Sequence, residues 1–307
     1  MAPISAPVAT AARGGAMRWF FAFALAGSLF LVGIPSSVTF AQLTPQSPVS
    51  AMVPFELRSG FLIVVHGQIG TVGALRFILD TGATRTVIDA KLARRLPLPQ
   101  LEDAVTHTYD KIASAKMTVV SDLRIGPLTV RSLPVLVMKL AKVSSYAQDI
   151  DGLIGLDFLS QSTAFTIDYQ AKTVSFDLAE GKGYHPGPIG CLLMRLNIQG
   201  LPVDLVVDTG LPGIVLYQNK LHARFPGLRV VKNVKPVKMG RLHLASARLP
   251  EVSLNGAAVD RNVYLINEDP KGAAPGIDGG IGPIELGSKR LEFDFVERQL
   301  RTFPELR

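Results

Sequence analysis

The chain carries a single cysteine, Cys191, in 307 residues. No intrachain disulfide can form, so the fold must be held by its core. Cys191 sits in an apolar strand pattern and reads as a small core residue, not a thiol nucleophile. Histidine is also scarce. His66, His107, His185, His222 and His243 are dispersed, with no pair spaced to grip a zinc ion, so neither a metal nor another cofactor is expected. Aromatic residues make up only 7% of the chain, and the basic residues behind its net charge of +7 lie singly and in pairs. A nucleic-acid binder needs a clustered basic stripe or aromatic platforms, so no nucleic-acid partner is expected. The charge supports only loose attraction to anionic surfaces.

Long apolar runs are missing, with one exception from Trp19 to Ile34. Arg13 and Arg18 precede it, Pro35-Ser36-Ser37 ends it, and Val38-Thr39-Phe40-Ala41 offers small residues for cleavage. Residues 1–41 are therefore read as an export signal, and the protein as periplasmic or secreted. The run is short for a membrane span, which needs about 20 apolar residues. Membrane contact is expected only through this segment, as an anchor, if it stays uncleaved. Cleavage after Ala41 leaves 266 residues, enough for two lobes of roughly 120 residues each.

What the chain does have is a duplication. Phe77-Ile78-Leu79-Asp80-Thr81-Gly82 is echoed by Leu205-Val206-Val207-Asp208-Thr209-Gly210. Each is followed, after 71 and 70 residues, by a matched aspartate-glycine segment, Ile150-Asp151-Gly152-Leu153-Ile154-Gly155 and Ile277-Asp278-Gly279-Gly280-Ile281-Gly282. Gly60 to Val65 resembles Gly190 to Arg195, Lys91 to Leu96 answers Lys220 to Phe225, and Phe165 to Tyr169 answers Leu291 to Phe295. The offset stays near 128, far beyond the roughly 20–50 residues of a solenoid repeat. It is a duplicated domain.

Between the motifs run short apolar segments broken by Gly, Pro and Asp: Phe61 to Val65, Leu75 to Leu79, Met117 to Val120, Leu128 to Val130 and Val135 to Met138. Such runs predict strands. Ala90 to Leu96 is one of few helical candidates. The fold class is all-β with minor helix, in two similar lobes. The expected organisation is a signal over 1–41, a spacer over 42–53, an N-terminal lobe over 54–177, a Gly- and Pro-rich linker over 178–189 and a C-terminal lobe over 190–307.

The segment from Phe77 to Ile88 closely resembles the active-site strand and loop of retropepsin-like aspartic peptidases of bacteria. Asp151 to Leu159 is similar to the hydrophobic-glycine segment that these lobes share with the pepsins. The resemblance spans nearly the whole mature chain in two copies. It implies two retropepsin-like lobes related by a pseudo-twofold axis, facing a cleft. By that resemblance Asp80 and Asp208 are the catalytic pair: two carboxylates in contact cannot both ionise, so they share a proton and together activate a water. The resemblance also gives Thr81 and Thr209 hydroxyl bonds across the axis, while Gly82 and Gly210 allow close backbone approach. The expected activity is an exported aspartic endopeptidase acting on a peptide or protein substrate as a monomer.

A flap hairpin is expected over Val105 to Val120, turning around Asp110 to Ser114, with Tyr109 near its tip as a substrate contact. A shorter one is expected around Met239-Gly240. The sequence departs from the family at Leu211-Pro212-Gly213, where the first copy has Ala83-Thr84-Arg85. If Leu211 wedged between the aspartates, the chain would instead be a weak or inactive peptide-binding protein on the same fold. Neither Ala83 nor Leu211 can donate a side-chain bond to the dyad, which shifts expected activity toward weakly acidic or near-neutral pH.

Overall fold

A computed structural model describes residues 51–107, 112–140, 149–178, 191–224, 226, 236–239, 242–248, 252–254, 257–258, 262–266 and 276–303. Residues 50–307 form one compact unit. The signal, most of the spacer and all but the first residue of the linker lie outside the described residues, as does Tyr109.

The chain enters the fold at Met52–Arg58, whose alternating exposed and buried residues make a half-buried strand. The strand begins two residues inside the stretch read as spacer. It turns through Ser59 and Gly60, both with positive φ, into Leu62–Ile69. Two central residues of positive φ match the right-handed twist of a hairpin. Val72–Leu79 follows, and its buried Leu75, Phe77 and Leu79 face the main core.

Around each Asp-Thr-Gly the strands pair in the same way. Val72–Leu79 runs parallel to Gly152–Ile154, with Phe77 opposite Gly152 and Leu79 opposite Ile154. Leu201–Val207 runs parallel to Gly279–Ile281, with Leu205 opposite Gly279 and Val207 opposite Ile281. The glycine strands then pair antiparallel with Val87–Asp89 and Ile214–Tyr217. These pair parallel in turn with Leu133–Met138 and Asn262–Ile266, Val87 opposite Leu136 and Val215 opposite Tyr264. Helices are few and short among the described residues. Ala90–Ala93 is capped by Asp89, whose side chain accepts from the Lys91 amide, and Gln218–Arg224 occupies the matching place in the second half.

The halves meet through backbone. Ala164–Asp168 pairs antiparallel with Arg290–Asp294, placing Thr166 opposite Glu292, Phe165 opposite Phe293 and Ile167 opposite Leu291. The first sheet, of fourteen strands among the described residues, therefore includes the two last strands of the chain. Phe165 stacks on Phe293 with centroids 4.6 Å apart and reaches Phe295 and Phe176 at 6.0 and 6.3 Å. All four rings are fully buried. One core cluster holds residues of both halves, and removing such a ring typically costs about 3–5 kcal/mol.

The first hairpin differs in detail from expectation. Glu102–His107 pairs with Ile112–Val120, His107 opposite Ile112 and Val105 opposite Ser114. Ile112, Ala113 and Ser114 are thus strand residues, not turn residues. Pairing with Glu102–His107 carries the strand further back toward the tip than the sequence suggests. In the second half Pro236–Met239 pairs with Leu242–Arg248, Met239 opposite Leu242; Gly240 lies outside the described residues.

Candidate active site

Each strand that ends in an aspartate hands its chain over to a fixed loop. The Asp80 amide donates to the Ile154 carbonyl and the Asp208 amide to the Ile281 carbonyl, both at 2.9 Å. These bonds pin the two aspartates at the ends of parallel neighbours. Behind them, small residues are required. A Cβ at Gly155 would lie 2.6 Å from the Arg85 carbonyl carbon and 2.9 Å from the Ala83 oxygen, and one at Gly282 would collide with the Leu211 carbonyl.

The structure brings the six site residues expected from the motifs together. The Thr81 hydroxyl donates to the Val207 carbonyl at 2.8 Å and accepts from the Thr209 amide at 3.1 Å. The Thr209 hydroxyl donates to the Leu79 carbonyl at 2.7 Å and accepts from the Thr81 amide at 3.0 Å. Both threonines are buried. The four bonds cross from one half to the other and back, tying the loops at their base.

Above them the carboxylates meet. The Asp80 Oδ1 accepts from the amides of Gly82 and Ala83 at 2.9 and 3.0 Å, and the Asp208 Oδ1 from the Gly210 amide at 2.7 Å. A side-chain hydrogen bond joins Asp80 to Asp208. The glycines make room for it: a Cβ on Gly210 would lie 3.0 Å from the Asp208 Oδ1 and 3.4 Å from the Asp80 Oδ2, and one on Gly82 would overlap the Asp208 carboxyl. Asp208 is only 3% exposed, while Asp80 keeps part of its surface open. Burial, then the charge of Asp208 and its hydrogen bond, holds the Asp80 carboxyl well above the usual range, against the pull of the Gly82 and Ala83 amides. That is the behaviour of two carboxyls with one proton between them.

Leu211 does not separate the pair. It is 4% exposed, its amide donates to the Asp208 carbonyl at 3.1 Å, and its own carbonyl packs against Gly282.

Several neighbours escaped the sequence. The Cys191 thiol contacts the Gly82 carbonyl at 3.6 Å. Burial, then the charges of Asp208 and Asp80, pushes it up to about 12, which leaves it protonated and unreactive. The buried Tyr217 phenol is raised by burial and by Asp208. Asp157 and Thr86, both buried, are bonded side chain to side chain at 2.7 Å beside the first loop. Among the described residues no group of three His, Cys, Asp or Glu side chains is arranged to hold a metal.

Residues 65–158 match the aspartyl protease family. The match contains the first Asp-Thr-Gly and its partner glycine segment, so this part of the chain is similar to aspartyl proteases. No curated protein matches the chain.

Proposed function

We propose that the protein is an exported aspartic endopeptidase whose active site is built from both halves of one chain, two copies of a retropepsin-like lobe related by a pseudo-twofold axis. One observation carries the reading: the two Asp-Thr-Gly carboxyls, Asp208 buried and Asp80 partly open, meet where the two loops interlock. A carboxylate in such a pair takes a proton from water as the water attacks the peptide carbonyl. The protonated partner supplies a proton to the substrate. Asp80 and Asp208 do this work, Thr81 and Thr209 hold the loops, and Gly82 and Gly210 clear space around the carboxyls. Peptide segments of protein substrates would lie along the cleft beneath the hairpins.

With both aspartates in one chain, the monomer is the active species, working in the periplasm or outside the cell after removal of residues 1–41. The deciding experiment is digestion of a mixed peptide library by protein lacking residues 1–41, read by mass spectrometry at several enzyme concentrations. Internal cleavage with a rate per molecule independent of dilution is expected. Saturable peptide binding without cleavage at any pH from 3 to 8 would leave a peptide-binding protein instead.

A further inference from the structure

The two catalytic loops are held differently at their far ends. In the first half, the Asp157 Oδ1 accepts from the Thr86 amide at 2.9 Å, the Thr86 hydroxyl at 2.7 Å and the Phe158 amide at 2.9 Å, while Oδ2 shares the Thr86 amide at 3.0 Å. The Thr86 hydroxyl also accepts from the Gly155 amide at 3.1 Å. The next amide, that of Leu156, donates to the Ala83 carbonyl at 2.8 Å, and the Ala83 amide reaches Asp80. The segment from Gly82 to Thr86 is thus bonded at one end to the catalytic carboxyl and at the other to Asp157.

The duplication supplies a control. The counterpart of Thr86 is Ile214, 1% exposed; that of Asp157 is Ile284, and that of Leu156 is Pro283, which has no amide hydrogen to give. The second half therefore closes the same corner of the fold without these polar side chains. A buried carboxylate is costly to desolvate. Desolvation outweighs the Thr86 bonds here and raises Asp157 above the usual carboxylate range. Since apolar packing suffices for closure, the polar pair serves something that packing does not supply, namely a single orientation.

We propose that Asp157, acting through Thr86, is a positioning residue that fixes the loop presenting the Asp80 carboxyl. Its kinetic consequence rests on the peptidase reading; its geometric consequence does not. Two measurements on the full chain separate them: turnover of a cleaved library peptide, and hydrogen exchange of the Ala83 and Gly210 amides by NMR.

Three variants are compared. Thr86→Val keeps the shape and removes the hydroxyl, Thr86→Ser keeps the hydroxyl, and Thr86→Ile with Asp157→Ile transplants the second half's pair. Thr86→Val and the double variant should unfold cooperatively like the parent, lose about tenfold or more in kcat at unchanged KM, and exchange the Ala83 amide at least about tenfold faster, with Gly210 unaffected. Thr86→Ser should restore both readouts. Parent-like turnover and Ala83 exchange in Thr86→Val would overturn the proposal, even if the double variant failed to fold. A parent chain without turnover would defeat the peptidase reading alone, and the Ala83 exchange would still decide this one.

Discussion

The two halves share their backbone and differ in how they anchor it. Aspartate, threonine and glycine recur with the same partners: the Asp151 carboxylate accepts from the Arg76 amide and the Asp278 carboxylate from the Asp204 amide, at 2.9 and 3.0 Å. Arg224 forms an ion pair with Asp278, and Arg95 exerts the matching pull on Asp151. Around this frame the first half uses polar anchors, Thr86, Asp89 and Asp157, where the second places Ile214, Tyr217 and Ile284. The threonine bonds that cross between the halves and the glycine-amide bonds to the two aspartates are duplicated, whereas the outer supports differ. Support behind the junction can be supplied by hydrogen bonds or by packing.

The largest effect should be blind to that difference. Asp80→Asn and Asp208→Asn should each lower kcat by about a thousandfold or more with the fold intact, because the proposed reaction needs both carboxyls of the pair. Substantial turnover in one variant alone would break the equivalence of the halves at its centre. Next come the threonines. Thr81→Val and Thr209→Val each leave one buried carbonyl and one buried amide without partners, so each should cost about 2–4 kcal/mol in urea unfolding. Values differing by more than about 1 kcal/mol would show the interlocking bonds to be unequal in strength.

The dyad's titration gives a smaller, graded test. The folded Asp80 titrates above its unfolded value, so the fold keeps a proton that the unfolded chain has released. This adds stability that is full at acid pH and is lost as pH rises through the folded value. The gain is about 1.4 kcal/mol for every pH unit that separates the folded and unfolded titrations. The singly protonated pair should also keep peptidase activity into the weakly acidic or near-neutral range. Tm should fall across this interval, with a shallower slope in Asp208→Asn, which removes the neighbouring charge. A parallel slope in that variant, or an activity optimum near pH 2–3, would place control of the titration elsewhere. The smallest effect belongs to Cys191. With its thiol pushed up to about 12, the folded protein should resist iodoacetamide at pH 8, and Cys191→Ala should change stability by less than about 1 kcal/mol. Rapid alkylation would show an open path to the junction from the side of the second half.

Repetition made the frame legible in the sequence. Asp80 and Asp208, the glycines behind them and the strands leading to them could be read because each appears twice at one offset, and the apolar run from Leu75 to Leu79 marked the strand. The outer anchors were hidden for the converse reason. Thr86 and Asp157 stand 71 residues apart and have no polar echo, so a search for similarity passes over them; comparing the copies for joint loss of polarity, at Ile214 and Ile284, would have found the pair. The contact of Cys191 with the Gly82 carbonyl spans 109 residues and leaves no local pattern. The bend of the first hairpin was misplaced because Ile112 to Ser114 mixes turn-like and strand-like residues, and pairing with Val105 to His107 decided between them.

The strand from Ala164 to Asp168 is answered in the duplication by residues 290–294, and these two segments pair with each other about Thr166 and Glu292. A strand that pairs antiparallel with its own counterpart is self-complementary, so the seam needs no covalent help to find its register. The connection between the halves is then expected to act chiefly on probability, keeping the second half at a high effective concentration beside the first. Cutting it would change how soon the halves meet far more than how well they fit.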